Sequence, residues 1–116
     1  MRELIKISKA LSDETRVRML KLLLEQDICV REMQEIFPKS QSQVSRSLKM
    51  LMEAGFLKRQ QEGKCVVYVA DRTTSNPFCR ALLDVLADSF NHQKDVAGDR
   101  KRLRQALSQQ IRTKAK

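Results

Sequence analysis

Apolar residues recur along this chain at two different periods, and the change of period marks out its architecture. Leu4, Ile7 and Leu11 stand three and four residues apart, the spacing of one helical face. Ser12, Asp13 and Glu14 interrupt that face and open a second helix, because a capping side chain followed by acidic groups suits the positive end of a helix. Val17, Leu20, Leu23 and Leu24 give this second helix its buried stripe. Asp27 closes the element. A third helix runs from about Val30 to Phe37 and ends before Pro38, whose ring disfavours helical geometry in the residue preceding it.

The stretch after Pro38 is the most informative in the chain. Ser40 with Gln43 three residues later fits a capping box, so a fourth helix starts there and continues to about Ala54. Its opening is polar, with Gln41, Ser42, Gln43, Ser45 and Arg46, whereas Val44, Leu48 and Leu51 form an apolar face at spacings of four and three. Gly55 supplies a left-handed stop. A short helix, a proline-marked turn and a second helix of this polarity predict a helix-turn-helix. Its second helix offers short hydrogen-bonding side chains to base edges while an apolar face anchors it to a core.

From Phe56 the period changes to that of strands. LKRQQ and CVVYVA flank a turn containing Gly63, and the second segment is dense in β-branched residues, which predicts a β-hairpin. Placed directly after the recognition helix and carrying Lys58, Arg59 and Lys64, the hairpin is positioned as a wing whose cations meet phosphates. Asn76 as cap and Pro77 at the first helical position then open another helix, with Phe78, Leu82, Val85, Leu86 and Phe90 as a broad apolar stripe. So wide a stripe in so small a domain implies two packing partners, the first helix of the same chain and a second subunit. After Gly98 a last helical stretch carries Leu103, Leu107 and Ile111 at intervals of four.

The fold class is therefore mainly α with a small β-hairpin, a winged helix-turn-helix. Residues 1–92 form the DNA-binding and dimerisation domain and residues 93–116 a basic helical extension. The extension either packs its thin seam on a dimer or acts as a mobile basic arm, ordered to about Ile111 and frayed beyond it.

Composition sharpens this picture through charge. The chain has 116 residues with 41% hydrophobic content, which bounds it to one compact domain. Lys and Arg number 23 against 14 acidic residues, a formal net charge of +9, of which +6 falls in residues 94–116. That excess favours a polyanionic partner. Aromatic residues make up only 4%, so the stacking platforms of single-strand and RNA binders are missing. One histidine, with no nucleophile and base pair, argues against an enzyme. No apolar run approaches the roughly 20 residues that span a bilayer, and the first residues are unlike a signal sequence, so a cytoplasmic location is expected. Cys29, Cys65 and Cys79 are odd in number and widely spaced, which points to reduced thiols rather than a disulfide framework.

The order of elements, with LSDETRVRMLKLL from Leu11 to Leu23, SQSQVSRSLKMLMEAGFLKRQQEGK from Ser40 to Lys64 and VYVA from Val67 to Ala70, resembles the ArsR family of winged-helix repressors over roughly residues 4 to 92. The resemblance implies a homodimer built from the first helix and the helix after the wing. It also implies repression at an inverted-repeat operator in double-stranded DNA, with release by an inducer. Metalloid sensors of that family carry a Cys-Val-Cys motif at the third helix. Here Cys29 is present but Arg31 stands in the second position, so the motif is broken and no metal or cofactor is assigned. A zinc site of the family on the helix after the wing uses Asp and His; here Asp84, Asp88 and His92 share a helical face at spacings of four but lack its partner histidine. Sensing is left to a thiol-reactive metal or metalloid, to cysteine oxidation, to a small molecule, or to no inducer at all.

On the DNA side, Gln41 and Gln43 can pair with adenine, Arg46 with guanine, and Ser42 and Ser45 with a base or a phosphate, while Ser40, the helix cap, is counted among the DNA-binding residues. Lys49, Arg59 and Lys64 are assigned to the backbone. The alternative function is a winged-helix module that docks a protein and senses no inducer.

Overall fold

One short segment ends the first helix and begins the second. The Asp13 side chain accepts the Arg16 backbone N–H at 3.0 Å, capping the helix α2 (Glu14–Leu23). The Arg16 guanidinium turns back and donates to the carbonyls of Ala10 and Lys9, each at 2.9 Å, which closes α1 (Arg2–Ala10). The computed structural model describes residues 1–114. After α2 the chain forms a short strand β1 (Ile28–Cys29), then α3 (Val30–Ile36) and α4 (Gln41–Ala54). The strands β2 (Leu57–Glu62) and β3 (Cys65–Ala70) follow, and then α5 (Pro77–Asp88), α6 (Lys94–Ser108) and α7 (Ile111–Lys114).

The hairpin forms in the expected place, with Leu57 opposite Ala70 and Glu62 opposite Cys65. It is extended by β1, which pairs antiparallel with β3 through Ile28 with Tyr68 and Cys29 with Val67, giving the order β1-β3-β2. Side chains alternate across a sheet. Ile28, Leu57, Tyr68 and Ala70 accordingly join the main core with Met19, Leu48, Leu51 and Phe56, whereas Cys29, Cys65 and Val67 make a separate small cluster.

α4 stops at Gly55, whose φ of +103° is open to glycine and strained for any other residue. A Cβ built there lies 3.2 Å from the Cys79 sulphur. Gly55→Ala is expected to destabilise the fold by about 1–2 kcal/mol through the left-handed backbone alone. A urea midpoint equal to that of the parent chain would show that the turn relaxes freely.

Three expectations are corrected. The α5 stripe, expected to pack on both α1 and a second subunit, is largely open in the single chain: Phe78, Leu82 and Val85, with Phe90 just beyond the helix end, are exposed, Leu86 packs on the core, and the helix buries Cys79 and Leu83. Leu4 and Ile5 on α1 are exposed as well, because α1 packs on α4 rather than along that stripe. α6 begins at Lys94 and passes through Gly98, since one glycine inside a helix is a modest penalty that tertiary packing overrides. It buries Val96, Asp99, Leu103 and Ala106 while packing on α3 and α2 of its own chain. His92 lies beyond the end of α5 at Asp88, so it does not share a helical face with Asp84 and Asp88, and Asp84 pairs with Arg72 at 2.7 Å. The chain turns sharply at Gln110, with φ +54°, before α7, and residues 115–116 of the basic extension lie outside the described residues.

Candidate nucleic-acid interface

The recognition helix is built as its sequence requires. Ser40 Oγ accepts the Gln43 backbone N–H at 3.1 Å, and Gln43 Oε1 accepts the Ser40 N–H at 3.0 Å, so the capping box is complete. Val44, Leu48 and Leu51 are fully buried, which fixes the roll of α4 about its axis. Gln41, Ser42, Gln43 and Arg46 consequently face solvent, with Ser45 half-buried at the edge. The box engages the Gln43 amide oxygen, leaving Gln41 as the glutamine free to present both amide atoms. Lys49 is exposed and lies 3.9 Å from Glu53, an i, i+4 pair on the outer face of the helix.

A groove of about 630 Å³ runs between α3, α4 and the hairpin. It collects Gln41, Ser45 and Lys49 from the recognition helix with Arg59 and Lys64 from the wing. Five of the predicted polar groups thus border one concave surface, while Ser40, Ser42, Gln43 and Arg46 lie outside its lining. Lys58 departs from the set, because it pairs with Val69 while Arg59 pairs with Tyr68, placing the two cations on opposite faces of the hairpin. Arg31 and Gln34 of α3 also line the groove and were not anticipated. Their signal was present in the sequence as polar residues i, i+3 on the helix before the turn.

Behind the groove, ion pairs hold its parts together. Glu32 is buried, and its Oε1 accepts the Cys29 backbone N–H at 2.9 Å and Arg112 Nη2 at 2.8 Å. Arg112 also donates to the Asp27 carbonyl at 2.9 Å and to Glu62 on the wing at 3.3 Å. A residue of the C-terminal segment therefore ties the start of α3 to the wing.

All three cysteines are buried. Burial pushes the Cys29 thiol up to about 11, with the Glu32 carboxylate adding to that and the Glu32 backbone N–H opposing it. Burial likewise raises Cys79, whose sulphur bonds the Ala54 carbonyl at 3.2 Å. Cys29 and Cys65 share one cluster, and Cys79 sits in the main core. Among the described residues, no three His, Cys, Asp or Glu side chains gather as a metal-binding set. No described helix is long and apolar enough to cross a membrane.

Comparison with known proteins gives this geometry a lineage. The family described as "Bacterial regulatory protein, arsR family" matches residues 13–59, the span from the α2 cap to the first wing strand. A cadmium resistance transcriptional regulatory protein CadC homolog of Staphylococcus aureus is 33% identical over 96 residues, which cover 82% of this chain and 74% of that protein. The chain belongs to the arsR family. As an arsR-family member it is a DNA-binding transcriptional regulator. The arsenical resistance operon repressor of Escherichia coli is 38% identical over 65 residues, covering 55% of this chain and 56% of that repressor. Among solved structures, the homodimeric winged helix-turn-helix DNA-binding domain of Mb0332 from Mycobacterium bovis has the same fold. It matches with a TM-score of 0.60 at 21% identity, over 80% of this chain and 83% of that one.

Proposed function

We propose that this arsR-family chain is a cytoplasmic, homodimeric repressor that binds an inverted-repeat operator and leaves it when a thiol-reactive inducer arrives. The observation that carries the reading is the two-sided character of α4. Its buried Val44, Leu48 and Leu51 aim Gln41, Ser42 and Arg46 outward, above a groove edged by Lys49, Arg59 and Lys64. An element of this kind fits a major groove, where glutamine pairs with adenine and arginine with guanine while flanking cations meet phosphates. Dimerisation is supported by the exposed Phe78, Leu82 and Val85 of α5 and Phe90 just beyond it, together with Leu4 and Ile5 of α1. The homodimeric state of the Mycobacterium bovis domain of the same fold supports it further. The names of the relatives, tied to cadmium and to arsenical resistance, support an inducer that reacts with thiols.

The test is a fluorescence-anisotropy titration of the chain against duplex DNA from upstream of its own coding region, with sedimentation analysis of the free protein. A dimer that binds specifically, and loses affinity steeply between low and physiological salt through counterion release, is the expected outcome. A monomer, or binding to every duplex alike, defeats the proposal and favours the protein-docking alternative. Within this assay Arg46→Ala is expected to weaken operator binding by about 1–3 kcal/mol and to relax preference at one base pair. Unchanged affinity and preference would remove Arg46 from the readout.

A further inference from the structure

Cys29 and Cys65 take no part in the DNA-facing surface as such, yet the sheet brings them together. Cys29 on β1 stands opposite Val67 on β3, and Cys65 is two residues before Val67 on the same strand. The two thiols therefore lie on one face, one diagonal step apart, and with Val67 they form a buried cluster separate from the main core. Both residues also border the groove that holds Gln41, Lys49 and Arg59.

The diagonal step selects the chemistry. Diagonal neighbours across antiparallel strands have Cα atoms roughly 7–8 Å apart, beyond the roughly 7 Å limit for a direct disulfide without backbone movement. A cation seated between the sulphurs adds two metal–sulphur bonds of about 2.3 Å, the length known for zinc thiolates, and spans the wider gap. No third metal-ligating side chain joins the pair among the described residues. The nearby Glu32 carboxylate is already engaged by the Cys29 N–H and by Arg112. A tetrahedral ion such as zinc asks for four ligands, so its shell is not completed here.

We propose that Cys29 and Cys65 form a binding site for a soft divalent cation that takes two thiolates in line, bridging β1 to β3. Each thiol releases its proton to solvent as its metal–sulphur bond forms. One divalent cation thus displaces two protons and leaves a neutral bridge, with no change of oxidation state. Neutrality suits a neighbourhood where Asp27, Glu32 and Glu62 already surround the single guanidinium of Arg112. The bridge fixes the start of α3 against the wing and so the angle between wing and recognition helix. Its regulatory consequence rests on the operator-binding reading above. Linkage then requires that cation and operator alter each other's affinity by one common factor.

The experiment uses the reduced full chain, free of oxygen, loaded with one equivalent of mercuric ion and challenged with an excess of a monothiol. The parent chain and Cys79→Ala are expected to retain the ion, read by the sulphur-to-metal charge-transfer band. Cys29→Ser and Cys65→Ser should each weaken binding by roughly 10²–10⁴-fold, the gain that a second tethered ligand supplies. Full retention by either serine variant, or equal loss in Cys79→Ala, overturns the site. X-ray absorption on the loaded parent chain needs no substitution. Two sulphur neighbours are expected, and one, three or four would refute the bridge. Operator binding by the cation-free chain is measured alongside. Operator binding without a two-sulphur bridge sinks this inference alone, whereas the bridge without operator binding upholds it and sinks the proposed function.

Discussion

Replacing Arg18 with methionine is expected to be among the most damaging single changes in this chain, lowering the unfolding free energy by about 3 kcal/mol, near the foot of the range for breaking a buried ion pair. Arg18 on α2 holds Asp99 on α6 with both prongs of its guanidinium, Nε to Oδ2 at 2.9 Å and Nη2 to Oδ1 at 2.6 Å. Only 2% of the Asp99 side chain is exposed, so its charge has little recourse to water once the fork is gone. Arg102 remains at 2.6 Å but is 44% exposed, which is why the low end of the range is the expected one. The Arg18 guanidinium carbon also lies 5.3 Å from the centroid of the Phe37 ring, a cation–π contact that methionine gives up while keeping apolar bulk at the position. Urea unfolding followed by circular dichroism gives the number. A loss below about 1 kcal/mol, typical of exposed pairs, would mean that Arg102 alone satisfies Asp99.

Leu48→Ala is the second large effect, at about 2–5 kcal/mol, because the lost transfer energy is compounded by the cavity left behind. Leu48 has no exposed surface and lies in the middle of the α4 face that packs into the core with Leu51 and Phe56. The change touches none of the proposed DNA contacts. Operator affinity of the fraction that remains folded should therefore stay close to that of the parent chain, while the denaturation midpoint falls. A destabilisation under about 1 kcal/mol would show that the site collapses around the smaller side chain.

Both residues illustrate what a linear sequence reveals. Leu48 was legible, since its apolar spacing to Val44 and Leu51, the Ser40 and Gln43 box and the Gly55 stop are all local signals that agree with one another. The wing was legible for the same reason, through β-branched density around a glycine turn. The Arg18 and Asp99 pair spans 81 positions and has no periodic trace. Lys21 was equally hidden inside an apolar stripe, although it is buried and its Nζ closes the end of α5 by donating to the carbonyls of Leu86 at 2.8 Å and Ala87 at 3.1 Å. Strand β1, two residues long, is too short to show alternation. Gly98 misled because a glycine reads as a stop when its neighbours' partners are unseen, and here α6 is held through it by contacts to α2 and α3. The α5 stripe was correctly read as apolar, but sequence cannot say which apolar face serves the chain's own core. That face proved to be Cys79 and Leu83. The same limit applies to the thiols, whose pairing of Cys29 with Cys65 rather than Cys79 depends on sheet register.

The claim on which the rest depends is that the polar opening of α4 enters the major groove twice, once from each copy of a dimer. Dimethyl sulfate footprinting, which reports guanine N7 in that groove, addresses it most directly. Two protected patches with centres separated by about 10 base pairs, or a whole number of helical turns, are expected on the operator, and Arg46→Ala should restore guanine reactivity in both. A single patch, or major-groove guanines that stay fully reactive while the chain is bound, would be incompatible with this reading of α4.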